Sequence, residues 1–218
     1  MTNIDYKTLY GLRDLDESIQ ERLRRLNGDN SRLNSLDAAL RVETKTPYYT
    51  VRRKRGTERI NFSADNFKAK SPNILLLSET KGLWPFRLEK KVVALGYYPS
   101  KKGIWIQFAQ SVSGIGLEQY QSFQKRIGIR PHELLVAHLV ARVAPILDKY
   151  PDMNIEFPEI DINLPGKREA QRIINERFAG KTNPNDNTYE LNPRKDRVKQ
   201  IFGEDSPWLK ENRQKFYR

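Results

Sequence analysis

The chain has 218 residues, enough to bury a sizeable core, and no cysteine, which excludes disulfides, thiolate metal sites and a thiol nucleophile. Hydrophobic residues make up 38% and charged residues 30%, too apolar for a disordered chain, and no run approaches the roughly 18 apolar residues of a membrane span. With 39 Lys/Arg against 27 Asp/Glu the net charge is +12, which speaks for a polyanionic partner and says nothing about fold.

From the N-terminus, Leu12, Leu15, Ile19, Leu23 and Leu26 recur at spacings of three and four, an amphipathic helical stripe. Asn27-Gly28-Asp29-Asn30-Ser31 stops that helix and caps a second one carrying Leu33, Leu36 and Leu40, so residues 1–43 are expected as a helical hairpin. The stripe packs on the chain's own core or forms a homodimer.

A β segment follows. Tyr48 to Val51 runs into Arg52-Arg53-Lys54-Arg55-Gly56, and Thr57 to Phe62 resumes with Ile60 and Phe62 alternating, which predicts a hairpin with a cationic tip. Ile74-Leu75-Leu76-Leu77 reads as a buried central strand. Val92 to Tyr98, the turn Pro99 to Gly103 and Ile104 to Phe108 predict a second hairpin with Lys101 and Lys102 at its tip. The expected fold is α+β: an antiparallel sheet of about five strands over 46–108, packed by helices.

Helix is expected again over 117–127 and from Pro131 to Tyr150, the latter apolar on most of its circumference and kinked or ended by Pro145. Residues 154–164 read as extended, and 167–178 as an amphipathic helix. A polar linker over 181–188 leads into a basic tail with short helices near 198–202 and 207–217. The expected units are thus 1–43, a nucleic-acid-binding body over 44–180, and the tail over 181–218.

Charge is unevenly placed. Residues 44–103 hold fourteen Lys/Arg and four Asp/Glu, a net of +10, whereas 1–43 sum to −1 and 104–218 to +3. That concentration predicts a nucleic-acid-binding surface on the hairpins, with Arg52, Arg53, Lys54, Arg55, Arg59, Lys90, Lys91, Lys101 and Lys102 meeting phosphates. Tyr98 stacks or packs beside them, since in the adjacent pairs Tyr48-Tyr49 and Tyr97-Tyr98 one ring must face each side of a strand. DNA is favoured over RNA because a two-stranded ribbon fits the major groove of B-DNA.

Catalytic motifs are sparse. His132 and His138 are six residues apart, about 120° around a helix, which does not match the four-residue spacing of a zinc protease. His138 in an apolar helix reads as a core histidine, and the acidic residues Asp152, Glu156, Glu159 and Asp161 as a surface pairing with the chain's own cations. Asp65 with Glu79-Thr80-Lys81 after an apolar strand loosely resembles the PD-(D/E)xK nuclease pattern, in which two carboxylates hold Mg²⁺ and the lysine positions water. No proline precedes Asp65, and the same Glu-Thr-Lys triplet recurs at 43–45, so catalysis is the alternative. The leading expectation is a non-catalytic or accessory nucleic-acid-binding protein without cofactor, with Mg²⁺ required only if it cleaves. A third reading is a structural subunit of a ribonucleoprotein or phage-like assembly, bound to a protein partner. The residues Met1 to Asp5 carry neither the basic nor the apolar part of a signal peptide, so a cytoplasmic, non-membrane setting is expected.

Overall fold

A computed structural model describes residues 18–19, 21–22, 32–55, 60–61, 68–69, 73–82, 88–112, 114–158, 181–183 and 188–191. The fold is mixed α+β. Helix α1 spans Arg32–Leu40; strands β1 (Thr44–Lys45), β2 (Tyr49–Arg55), β3 (Ile60–Asn61), β4 (Lys68–Ala69), β5 (Asn73–Lys81), β6 (Leu88–Ser100) and β7 (Gly103–Ser111) follow. Helices α2 (Leu117–Ile127) and α3 (Pro131–Lys149) precede β8 (Asn154–Pro158), β9 (Lys181–Asn183) and β10 (Thr188–Leu191). The main sheet has the order β1-β2-β5-β6-β7-β8-β10-β9, with β3 and β4 paired apart from it.

This differs from the expected sheet in two respects. The sheet reaches well beyond 108: β8 joins β7 in parallel after the α2–α3 crossover, and β10 and β9 continue it antiparallel. Residues 181–183 and 188–191, expected as linker and tail, are therefore strands. Second, the Arg52 to Arg55 run is not the tip of a hairpin. Strand β2 runs straight through Arg55 and pairs with β5, from Tyr49 opposite Glu79 to Arg55 opposite Asn73, so Arg52 to Arg55 are strand residues and not a tip. The reason lies in β5. Its central side chains are buried on both faces, which demands a strand on either side, and β2 and β6 supply them.

The second hairpin stands as expected. Ser100 pairs with Gly103, leaving Lys101-Lys102 as a two-residue turn. Gly103 has φ +131, and a Cβ there would lie 1.8 Å from the Asn154 carbonyl oxygen, so β8 is seated against a backbone that only glycine leaves open. Gly103→Ala is expected to destabilise the chain by roughly 2–4 kcal/mol through clash and strain together, measured by urea unfolding. A loss under about 0.5 kcal/mol, the level of an ordinary surface substitution, would contradict this seating.

Alternation sorts the strands into two faces. Tyr49 and Val51 of β2, Leu75 and Leu77 of β5, Val93, Leu95 and Tyr97 of β6 and Ile104 and Ile106 of β7 join the main core. Helix α3 lies across β5, β6 and β7 and meets α1, filling that core with Leu134, Leu135, Leu139, Val140, Val143 and Ile146. Full burial of each such side chain contributes about 1.5–3 kcal/mol. Ile74, Leu76, Ala94, Phe108 and Val112 form a second cluster on the opposite face. Register shifts opposite Val92 and Gln107 mark bulges that bend β6 and β7.

The helices obey local chemistry. Helix α2 starts with Glu118 in its first turn, ends with Lys125 and Arg126 in its last, and closes on Gly128 at φ 75. Helix α3 takes Pro131 as its first residue and runs through Pro145 to Lys149, so the proline does not end it. Leu36, Leu40 and Ile19 are buried in the main core, which is where that part of the N-terminal stripe goes. The remainder of the first N-terminal helix, the 167–178 helix and the tail helices lie outside the described residues.

Arg142 is fully buried in α3. Its guanidinium donates to the carbonyls of Leu40 (3.3 Å) and Val51 (2.9 Å) and to Thr44 Oγ1 (3.2 Å), tying α3 to the end of α1, to β1 and to β2. Desolvation brings its pKa down to about 10, so it remains a cation at neutral pH.

Candidate nucleic-acid interface

The fold carries the two basic stretches to one end of the sheet. Arg55, Asn73 and Tyr97 stand in one row across β2, β5 and β6, two strand spacings or about 10 Å wide. Lys101 lies four residues past Tyr97, about 13 Å further along the hairpin. Lys101 and Lys102 are exposed, Tyr98 is 37% exposed, and Lys54 is half-buried. The backbone of the turn is fixed: Lys102 N–H donates to Ser100 Oγ (3.2 Å), Asn154 N–H to the Lys102 carbonyl (2.8 Å), and Arg32 to the Lys101 carbonyl (3.4 Å). Arg32 also pairs with Asp152, whose carboxyl it holds below its usual value by hydrogen bonding.

Not every expected cation is free for a phosphate. Arg53 shares the helix-covered face with Val51; its side chain is 8% exposed and its guanidinium donates to Asp37 of α1 and Asn73 of β5. It is a structural clamp. Arg52 points to the other face and pairs with Glu89 at 3.1 Å. Strand β1 pairs with β2 only at Thr50 and Val51, and among the described residues no strand pairs with the outer side of Arg52 to Arg55. Charge on such an edge also guards against strand addition from another chain. Arg59 and Asp65 lie outside the described residues, as does the Arg55 side chain.

Lys90 and Lys91 are exposed at the opposite end of β6. Eleven residues separate Lys90 from Lys101, up to about 36 Å along a strand, so the expected cations form two groups and not one patch. The tyrosine pairs split between faces: Tyr48 is 38% exposed and Tyr98 37%, while Tyr49 and Tyr97 are buried. Tyr48 and Tyr98 also lie at opposite ends of the sheet, Tyr48 beside Thr80 through the Thr80 N–H to Tyr48 carbonyl bond (2.9 Å). Two rings so far apart do not make one stacking platform for consecutive bases.

Glu79 and Lys81 share one face of β5, with Lys81 Nζ 3.4 Å from Glu79 Oε2. Glu79 is 2% exposed, and its oxygens accept from Arg126 (2.6 Å) and from Gln119 Nε2 (3.2 Å), both on α2. Lys90 in turn donates to Gln119. The carboxylate that would hold a metal in the nuclease reading thus anchors α2 to the sheet. Periodicity alone gave no sign of this, because the partners sit 40 and 47 residues away in sequence. Among the described residues no group of three His, Asp or Glu is gathered for a metal ion. Asp152 and Glu156 lie at the start of β8 and opposite Trp105, while Glu159 and Asp161 fall outside the described residues.

Both histidines are internal. His138 is fully buried with Nε2 3.2 Å from the Tyr49 hydroxyl, and burial holds its pKa well below the ordinary value. His132 is half-buried with Nδ1 2.6 Å from the Tyr120 hydroxyl, and desolvation, helped by Arg130, lowers its pKa to about 4. Burial likewise raises the Tyr120 phenol. A histidine held neutral in the folded state stabilises fully above its unfolded pKa near 6.5 and loses that contribution as pH falls. Between pH 7 and pH 5 His132 is expected to cost about 2 kcal/mol of stability. Urea unfolding of His132→Asn at the two pH values should lose that part of the difference; an unchanged difference would exclude His132 as its source.

Compared with known protein families, curated proteins and solved structures, the chain matches none. Among the described residues no helix is long and apolar enough to cross a membrane.

Proposed function

We propose that the chain binds nucleic acid, DNA in preference to RNA, through phosphate contacts at the tip end of the sheet, and that it does so without catalysis of its own. The observation that carries this reading is the convergence of Lys54, Lys101 and Lys102 on one end of the sheet, within the segment that holds +10 of the net charge. Strand β8 flanks β7 from Gly103 to Trp105, so it is the Lys101-Lys102 turn, and not a free two-stranded ribbon, that faces the phosphates bordering a duplex groove. Backbone contacts lead, because the exposed tyrosines are too far apart to read consecutive unpaired bases. Duplex affinity should fall log-linearly with salt, and affinity indifferent to salt would overturn the proposal.

Cleavage is the second reading, favoured by the placement of Glu79 and Lys81 on one face of β5. Against it, Arg126 and Gln119 occupy the Glu79 oxygens. Plasmid incubated with the chain and Mg²⁺ is expected to stay intact. Nicking that EDTA stops and Glu79→Ala abolishes, with binding retained, would make the chain a nuclease.

A further inference from the structure

The tip end of the sheet carries a second extension besides the Lys101-Lys102 turn. Strands β2 and β5 leave the main sheet side by side, with Arg55 opposite Asn73. The same two stretches of chain pair again as β3 and β4, Ile60 opposite Ala69 and Asn61 opposite Lys68. Four residues intervene after Arg55 and three before Asn73, so the second ladder repeats the first with an offset of one residue. Lys68 stands five residues from Asn73, a reach of up to about 17 Å beyond the row that Asn73 shares with Arg55 and Tyr97. Strand β6 runs on past Tyr97 to Ser100, yet β4 does not pair with it. Among the described residues β3 and β4 thus form a sheet of two strands with no third beside them, whereas the β6–β7 hairpin has β8 along β7.

We infer that β3–β4 is a two-stranded arm that enters the major groove of B-DNA, with Asn61 and Lys68 meeting base edges there. The inference rests on the nucleic-acid reading above and adds a groove contact to its phosphate contacts. Width selects the occupant. The major groove of B-DNA, about 12 Å across, takes a ribbon of two strands, and a third strand about 4.8 Å further out would overfill it. The major groove of A-form RNA is too deep and narrow for either. Asn61 and Lys68, partners in register, are of the residue types that hydrogen-bond the major-groove edges of adenine and guanine. Residues 55–72 hold four Lys/Arg against two Asp/Glu, so this stretch is attracted to a polyanion. The Lys101-Lys102 turn, at the same end of the sheet, meets the phosphates that border the groove.

The test uses the full chain and a labelled DNA duplex that contains an A·T tract. In a second duplex every cytosine carries a glucosylated 5-hydroxymethyl group, which fills the major groove and leaves the minor groove and the phosphates as they were. Wild type is expected to bind this duplex at least tenfold more weakly than the plain one. Asn61→Ala/Lys68→Ala should bind the plain duplex at least tenfold more weakly than wild type and no longer distinguish the two. The variant should melt as wild type does; if it melts lower, the glucosylated duplex on wild type decides alone. Netropsin, which occupies the minor groove of A·T tracts, should not displace the protein, and duplex RNA of the same sequence should bind wild type and variant alike. Indifference to glucosylation, a variant with wild-type affinity, displacement by netropsin, or RNA affinity that falls in the variant would each overturn the inference. Salt-dependent duplex binding that persists through such a result leaves the phosphate reading standing, whereas a wild type that binds no duplex overturns both.

Discussion

Lys54→Ala/Lys101→Ala/Lys102→Ala is expected to weaken duplex binding by about 100-fold at 0.15 M salt and to have almost no effect near 1 M. The size follows from counterion release. Three lost phosphate contacts lower the slope of log affinity against log salt by about 2.7, and between 0.15 M and 1 M that amounts to roughly two decades. Arg53 is kept in this variant because it clamps Asp37 and Asn73, and its loss would confuse folding with binding. Fluorescence anisotropy on a labelled 20-base-pair duplex across a salt series reads both quantities. A parallel shift of the line with unchanged slope would mean that these lysines do not release counterions, and the tip would not be the contact.

Arg142→Ala is expected to destabilise the fold by about 3–5 kcal/mol, because it leaves a cavity and at the same time removes the donor from buried acceptors. Two effects compete at this position. Desolvation of the guanidinium opposes folding, as its lowered pKa records. Against that stand two backbone carbonyls and a threonine hydroxyl that are buried with it and accept from it. Arg142→Met refills most of the volume but leaves those acceptors without this donor, at roughly 1–3 kcal/mol. Alanine should therefore be the worse variant by urea unfolding. Methionine equal to or better than wild type would show that desolvation wins and that the arginine is retained for something other than stability.

The chemistry that sequence made legible was local. The β6–β7 hairpin, α2 between its glycine caps and the proline start of α3 all follow from residues within one turn of each other. The Arg52–Arg55 run was misread as a tip because a basic string before a glycine looks the same whether its strand ends or continues. What kept it a strand was the apolar run of β5, about twenty residues on, which needed a neighbour. The roles of Glu79 and Arg53 were likewise out of reach. Each is decided by a helix that packs on the sheet only once the whole topology exists, and spacing along the chain carries no record of that meeting. The burial of His138 was readable from the apolar residues around it on its own helix, whereas its Tyr49 partner on β2 was not.

The turn at Lys101 and Lys102 is held from three sides, by Ser100, by Asn154 of the neighbouring strand and by Arg32 of the first helix. The backbone that carries the two lysines is therefore fixed before any ligand arrives, and little backbone freedom remains to be lost on contact. A tip of this kind should associate at a rate set by electrostatic attraction, with no slow ordering step behind the encounter. Loosening it at Asn154 or Arg32 should then shorten the lifetime of a complex far more than it slows its formation.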